Sequence, residues 1–194
     1  MYTTLIFDLD GTLVDCKELH QFAFREAVTT YCPECLYTNE EVEGRPTYEK
    51  IKILQSKGYD LNEDKIQFLK QTLTQKHIKE YVDFNLLLYT ELKRLSKTYN
   101  IGLASNATEL FVTRVLEITN LKEFFTVINT ATEFPPKPDP YTYNNCMEKL
   151  NAVPHETIIF EDSPIGILGA KTTGAKVEEV IDSKDLITKL QVLD

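Results

Sequence analysis

Thr3-Thr4-Leu5-Ile6-Phe7-Asp8-Leu9-Asp10-Gly11-Thr12-Leu13-Val14-Asp15 begins as a short apolar strand and ends in two carboxylates and a glycine. A short apolar run such as Leu5-Ile6-Phe7 suits a strand. In an open parallel sheet, ligands bind where the strands end at their carboxyl side, which is where Asp8 and Asp10 fall. Residues two apart on a strand share a face, so one carboxylate can attack while the other moves protons. A carboxylate is a competent nucleophile toward phosphorus once a metal and hydrogen-bond donors neutralise the phosphoryl charge. Asp10 can protonate the leaving oxygen and later deprotonate the attacking water. Taken alone, the same residues also suit a solvated turn.

Further branched runs follow at Ile101–Ala104, Thr126–Ile128 and Thr157–Phe160, with a weaker one at Lys176–Ile181. Helical periodicity follows at about Thr108–Ile118, Pro140–Leu150, Pro164–Thr173 and Ser183–Leu190. Strands alternating with helices predict an α/β, doubly wound parallel sheet. Residues 16–99 break the alternation with amphipathic segments at Lys17–Thr30, Thr47–Ser56, Glu63–Tyr81 and Leu86–Thr98. In the first of these, Leu19, Phe22, Ala23, Ala27 and Val28 share one face. The division expected is a catalytic core of residues 1–15 and 100–194 with an inserted helical cap at 16–99, its linkers near 16–17 and 82–99.

Three more pieces fall at strand ends. Ala104-Ser105-Asn106-Ala107-Thr108 offers a hydroxyl and the N–H groups of a helix start to a phosphate, though a simple N-cap fits too. Pro135-Pro136-Lys137-Pro138-Asp139-Pro140 restrains one lysine, whose ammonium stabilises charge on a transferring phosphoryl group; a rigid surface turn is the plainer alternative. Phe160-Glu161-Asp162-Ser163-Pro164 supplies hard oxygen ligands for Mg²⁺, with Asp162 the direct ligand beside Asp8 and the Asp10 carbonyl, or else acids that favour a helix start. Their coincidence at successive strand ends favours the chemical reading of all four.

In order, these pieces resemble the four motifs of the haloacid dehalogenase-like hydrolase superfamily: Asp8-Leu9-Asp10-Gly11-Thr12, Ser105-Asn106, Lys137 and Glu161-Asp162. The resemblance runs from Tyr2 to about Val180. It implies a Rossmann-like core with an α-helical bundle cap of the β-phosphoglucomutase and phosphoglycolate-phosphatase branch. It implies Asp8 as nucleophile, Asp10 as acid/base, and Ser105, Asn106 and Lys137 as phosphate contacts. The metal ligands implied are Asp8, Asp10 and Asp162, with Glu161 in the metal shell. In the cap, His20 falls where the mutases carry a histidine, and Gly44-Arg45-Pro46 resembles the substrate-specificity loop. Thr47 stands where those enzymes carry an arginine for a second phosphate, which favours a phosphatase over a mutase.

The 194 residues are enough for one sizeable core with a satellite unit. A net charge of -9 without a Lys/Arg block argues against nucleic acid. No run approaches the roughly 18 apolar residues of a membrane span. The expected partner is a small phosphorylated metabolite, and the expected state a monomer or weak homodimer. Cys16, Cys32, Cys35 and Cys146, without an export signal, read as reduced thiols in a cytoplasmic protein. Cys32-Pro33-Glu34-Cys35 has metal-sharing spacing, but no second pair lies nearby in the sequence, so these two are expected to be ordinary cap thiols. The function expected is Mg²⁺-dependent hydrolysis of a small phosphomonoester through an aspartyl-phosphate, with a phosphomutase or a noncatalytic binder on the same fold as alternatives.

Overall fold

The computed structural model describes residues 1–42, 45–131 and 135–193. Five parallel strands run β1 (Thr4–Phe7), β2 (Asn100–Ser105), β3 (Val127–Thr130), β4 (Thr157–Glu161) and β5 (Lys176–Glu179), in the spatial order β3-β2-β1-β4-β5. Phe7 pairs with Leu103 on one side and Phe160 on the other, so β1 is central, and Leu5, Ile6 and Phe7 are fully buried. This is why the opening run is uniformly apolar rather than alternating. The winding reverses between β1 and β4, and that switch point is where a doubly wound sheet leaves a crevice at its strand ends. The α/β class expected from the alternation is the class observed.

The chain forms two compact units, Met1–Asp15 with Val82–Asp194, and Cys16–Tyr81. In the first, the sheet is accompanied by α5 (Leu86–Leu95), α6 (Glu109–Thr119), α7 (Tyr141–Lys149), α8 (Pro164–Thr172) and α9 (Ser183–Gln191). Local chemistry starts these helices. Asn85 Oδ1 accepts from Leu87 and Leu88 N–H, Thr108 Oγ1 from Phe111, and Asp182 Oδ1 from Lys184 and Asp185. Asn120 ends α6 in the left-handed conformation at φ 56°. Ile6, Ala104, Tyr143, Met147, Ile159 and Ala170 form one core layer between sheet and helices. α5 falls in this unit and packs on α9, where Arg94 donates to the Leu190 and Leu193 carbonyls and closes the helix end.

The second unit holds α1 (Lys17–Tyr31), α2 (Asn39–Val42), α3 (Thr47–Ser56) and α4 (Glu63–Tyr81), with α1 and α3 packed on α4. Leu19, Ala23, Ala27 and Val28 are buried as their spacing predicts, but the buried phenylalanine of α1 is Phe24. Phe22 is only part-buried, edge-on to His77 at 5.0 Å and stacked on Tyr81 at 6.0 Å. Full burial of a Phe contributes about 1.5–3 kcal/mol more than leaving it exposed, so the two rings are not equivalent. Cys32 and Cys35 are free thiols inside this unit's apolar core, and burial first, then Cys32, pushes the Cys35 pKa up to about 11. No helix of the described residues is long and apolar enough to cross a membrane.

Candidate active site

All four strand-end pieces belong to the sheet-bearing unit. Asp8 follows β1 directly, its N–H donating to the Phe160 carbonyl at 3.0 Å, so the backbone that carries it is tied to β4. A tight loop follows, with Gly11 N–H on the Val14 carbonyl at 2.7 Å and Asp10 bridged to Val14. Gly11 has φ +97°, and a Cβ there would overlap the Asp162 carboxylate, so both conformation and space demand glycine. Buried Thr12 donates its hydroxyl to Asp162 Oδ1 at 3.1 Å, joining the loop after β1 to the end of β4.

Lys137 is the centre of charge. Its Nζ lies 2.5 Å from Asp8 Oδ1 and 2.7 Å from Glu161 Oε2, and all three side chains are buried. Burial opposes the ammonium, yet Asp8 and then Glu161 outweigh it and raise the Lys137 pKa. Burial likewise disfavours the Glu161 charge, but Lys137 beside it holds that pKa below the usual carboxylate value. Asp8 goes the other way: burial first, then repulsion from Glu161, raise it well above 3.8 despite Lys137. Asp162 is raised to about 6 by burial and by Glu161. One ammonium therefore faces more carboxylate charge than it neutralises.

Asp8, Glu161 and Asp162 each offer an oxygen within 4.8 Å of the others, and among the described residues they form the grouping with the spacing of a metal site. The donors are all oxygens, the set that suits a hard divalent cation, and the raised carboxyl pKa values mark the charge such a cation would relieve. The residues present therefore fit a divalent metal.

Ser105 ends β2 on the strand beside β1, buried, with Oγ accepting from the Ala107 N–H at 3.1 Å. The cap of α6 is Thr108, so Ser105 is not that helix's N-cap. Asn106 Oδ1 accepts from Lys137 N–H at 2.8 Å and its Nδ2 reaches the Lys137 carbonyl at 3.5 Å, bracing the lysine's main chain. The cap of α8 is Ser163, and Glu161 accepts from the Ser163 hydroxyl at 2.7 Å. His20 and Arg45 lie in the helical unit: His20 is part-buried on α1, and exposed Arg45 pairs with Glu49 at 3.7 Å. Gly44 lies outside the described residues.

The motif pattern does not reveal Tyr143, whose hydroxyl donates to Glu161 Oε2 at 2.7 Å and whose ring centroid is 5.0 Å from Lys137 Nζ. Its only sequence signal is an aromatic two residues into the helix that follows the lysine turn, a place any core residue could occupy.

Relatives bear on this geometry. The pyrophosphatase PpaX of Bacillus velezensis is 27% identical over 183 residues, covering 92% of this chain and 82% of its own. The solved beta-phosphoglucomutase of Clostridium difficile superposes with a TM-score of 0.72 at 20% identity, covering 100% of both chains. CbbY from Rhodobacter sphaeroides, solved in complex with phosphate, gives 0.76 at 20% identity over 91% of this chain and 85% of its own. At these identities the two structures attest the fold. The model of the haloacid dehalogenase-like hydrolases matches residues 5–180, from the first strand to the end of the last, and so spans every strand-end piece of the site. The chain belongs to the haloacid dehalogenase-like hydrolase family.

Proposed function

We propose that this protein is a Mg²⁺-dependent phosphatase that hydrolyses a small phosphate ester or anhydride through an aspartyl-phosphate on Asp8. The observation that carries this reading is the buried Lys137 ammonium held on Asp8 and Glu161 beside Asp162, a centre with surplus negative charge. Such a centre is useful where a cation and a phosphoryl group complete it. Asp8, the Asp10 carbonyl and Asp162 would hold the metal, which supplies positive charge against the phosphoryl oxygens.

The chain's own residues do the rest. An Asp8 carboxylate oxygen attacks phosphorus, the bond to the leaving oxygen breaks, and Asp10 delivers the proton that this oxygen needs. Asp10 then takes a proton from water, whose oxygen attacks the acyl-phosphate, releasing phosphate and restoring the Asp8 carboxylate. Lys137 has three N–H bonds and uses two on carboxylates, which leaves one for a phosphoryl oxygen. Ser105 and the start of α6 offer further donors.

The substrate panel that tests this contains sugar phosphates, phosphoglycolate, nucleoside monophosphates and, because a relative is named a pyrophosphatase, inorganic pyrophosphate. Phosphate release should require Mg²⁺ and vanish in Asp8→Asn. Full turnover by that variant rejects the aspartyl-phosphate. Conversion of β-glucose 1-phosphate to glucose 6-phosphate faster than phosphate release would make the protein a mutase instead.

A further inference from the structure

Proximity alone admits Asp8, Glu161 and Asp162 as equal cation ligands. Hydrogen bonding separates them. A carboxylate offers about four lone-pair positions, and four donors occupy those of Glu161. Its Oε1 accepts from Ser163 N–H at 3.1 Å and Ser163 Oγ at 2.7 Å; its Oε2 accepts from Lys137 Nζ at 2.7 Å and Tyr143 OH at 2.7 Å. Gly166 packs so closely against this carboxylate that a Cβ there would overlap it, so Glu161 has no room to swing away. Asp162 is different: it is part-exposed, with Thr12 on one oxygen.

Tyr143 is fully buried, and a phenylalanine would fill the same space. The hydroxyl therefore needs a role of its own, and its bond to Glu161 supplies one. We propose that Tyr143 is a positioning residue which, with Ser163, saturates the Glu161 carboxylate so that Glu161 fixes the Lys137 ammonium on Asp8 and stays outside the cation's coordination, leaving Asp162 to meet the cation. This rests on the phosphatase reading of the same site and assigns a division of labour within it.

The test compares the full-length wild type with Tyr143→Phe, Ser163→Ala and Asp162→Asn. Mg²⁺ is titrated calorimetrically into each substrate-free protein, and kcat and KM are measured on the substrate the wild type turns over best. Asp162→Asn should weaken Mg²⁺ binding by at least about 100-fold. Tyr143→Phe and Ser163→Ala should keep Mg²⁺ affinity within about twofold while kcat falls about tenfold, the effect of one lost charge-assisted bond, with KM little changed. The proposal is overturned if Tyr143→Phe weakens Mg²⁺ binding as much as Asp162→Asn does, or if Tyr143→Phe leaves kcat at the wild-type value. A wild type that binds Mg²⁺ but turns nothing over refutes the phosphatase reading instead, and the calorimetric comparison still decides the place of Glu161.

Discussion

Replacing Asp162 with asparagine should stabilise the metal-free protein and abolish its response to Mg²⁺. Burial, and Glu161 after it, raise the Asp162 carboxyl from 3.8 to about 6, while the Thr12 hydroxyl pulls the other way. A carboxyl whose pKa is higher folded than unfolded contributes stability that is whole below about 3.8 and is lost as the pH climbs through about 6. At pH 7.5 the metal-free fold therefore carries an ionisation cost that asparagine removes. At about 1.4 kcal/mol per pH unit the gap would amount to about 3 kcal/mol. The side chain is part-exposed, and solvent screening reduces the gain to about 1–2 kcal/mol. Asparagine keeps an oxygen to accept from Thr12, so little is lost in exchange.

At roughly 2–4 °C per kcal/mol for a chain of this size, thermal melts in EDTA at pH 7.5 should place Asp162→Asn about 2–8 °C above the wild type. Near pH 4 the two should converge. With Mg²⁺ at 100 times its dissociation constant the wild type gains about 2.7 kcal/mol and overtakes the variant, which gains little. A variant less stable than the wild type in EDTA at pH 7.5, or one that responds equally to Mg²⁺, refutes the reasoning.

Lys137→Met should lower stability by about 3–5 kcal/mol in urea titrations with EDTA, because it strands Asp8 and Glu161 without a countercharge. The deficit should shrink as the pH falls, because protonation of Asp8, whose carboxyl pKa burial and Glu161 raise, relieves the repulsion; a deficit that does not change with pH would contradict the charge account. Gly11→Ala must relax a backbone at φ +97° and displace the Asp162 carboxylate, and should weaken calorimetric Mg²⁺ binding about 10–100-fold. Leu54→Ala removes a fully buried side chain from the helical unit and should cost about 2–5 kcal/mol, leaving Mg²⁺ affinity unchanged because the carboxylates belong to the other unit.

Much of the fold is legible in the sequence because its signals are local. The runs at Thr3–Phe7 and Thr157–Phe160 become β1 and β4 within a residue at either end, and Thr47–Ser56 and Glu63–Tyr81 become α3 and α4 with the same bounds. Periodicity and capping act within a few residues, so they survive in one dimension. The short helix Asn39–Val42 is absent from that reading because four residues carry no period. Phe24 displaces Phe22 from the core of α1 because two overlapping faces fit the same spacing, and packing against neighbouring helices chooses between them.

The site divides in the same way. The placement of Asp8, Asp10, Ser105, Glu161 and Asp162 at strand ends is legible because each lies at or just past the end of an apolar run, and Lys137 stands out as the one lysine of its proline-rich turn. Their pairing is not, since Lys137 and Asp8 stand 129 residues apart in the chain. By itself the sequence determined that a parallel α/β sheet would present carboxylates, a hydroxyl and one lysine at its strand ends, since short-range periodicity and residue chemistry suffice for that. Only the tertiary structure decided that Asn106 braces the Lys137 backbone and that Tyr143 and Ser163 close around Glu161. Those partners are set by how β2, α7 and α8 converge, and burial then makes every unmatched charge or donor costly enough to select them.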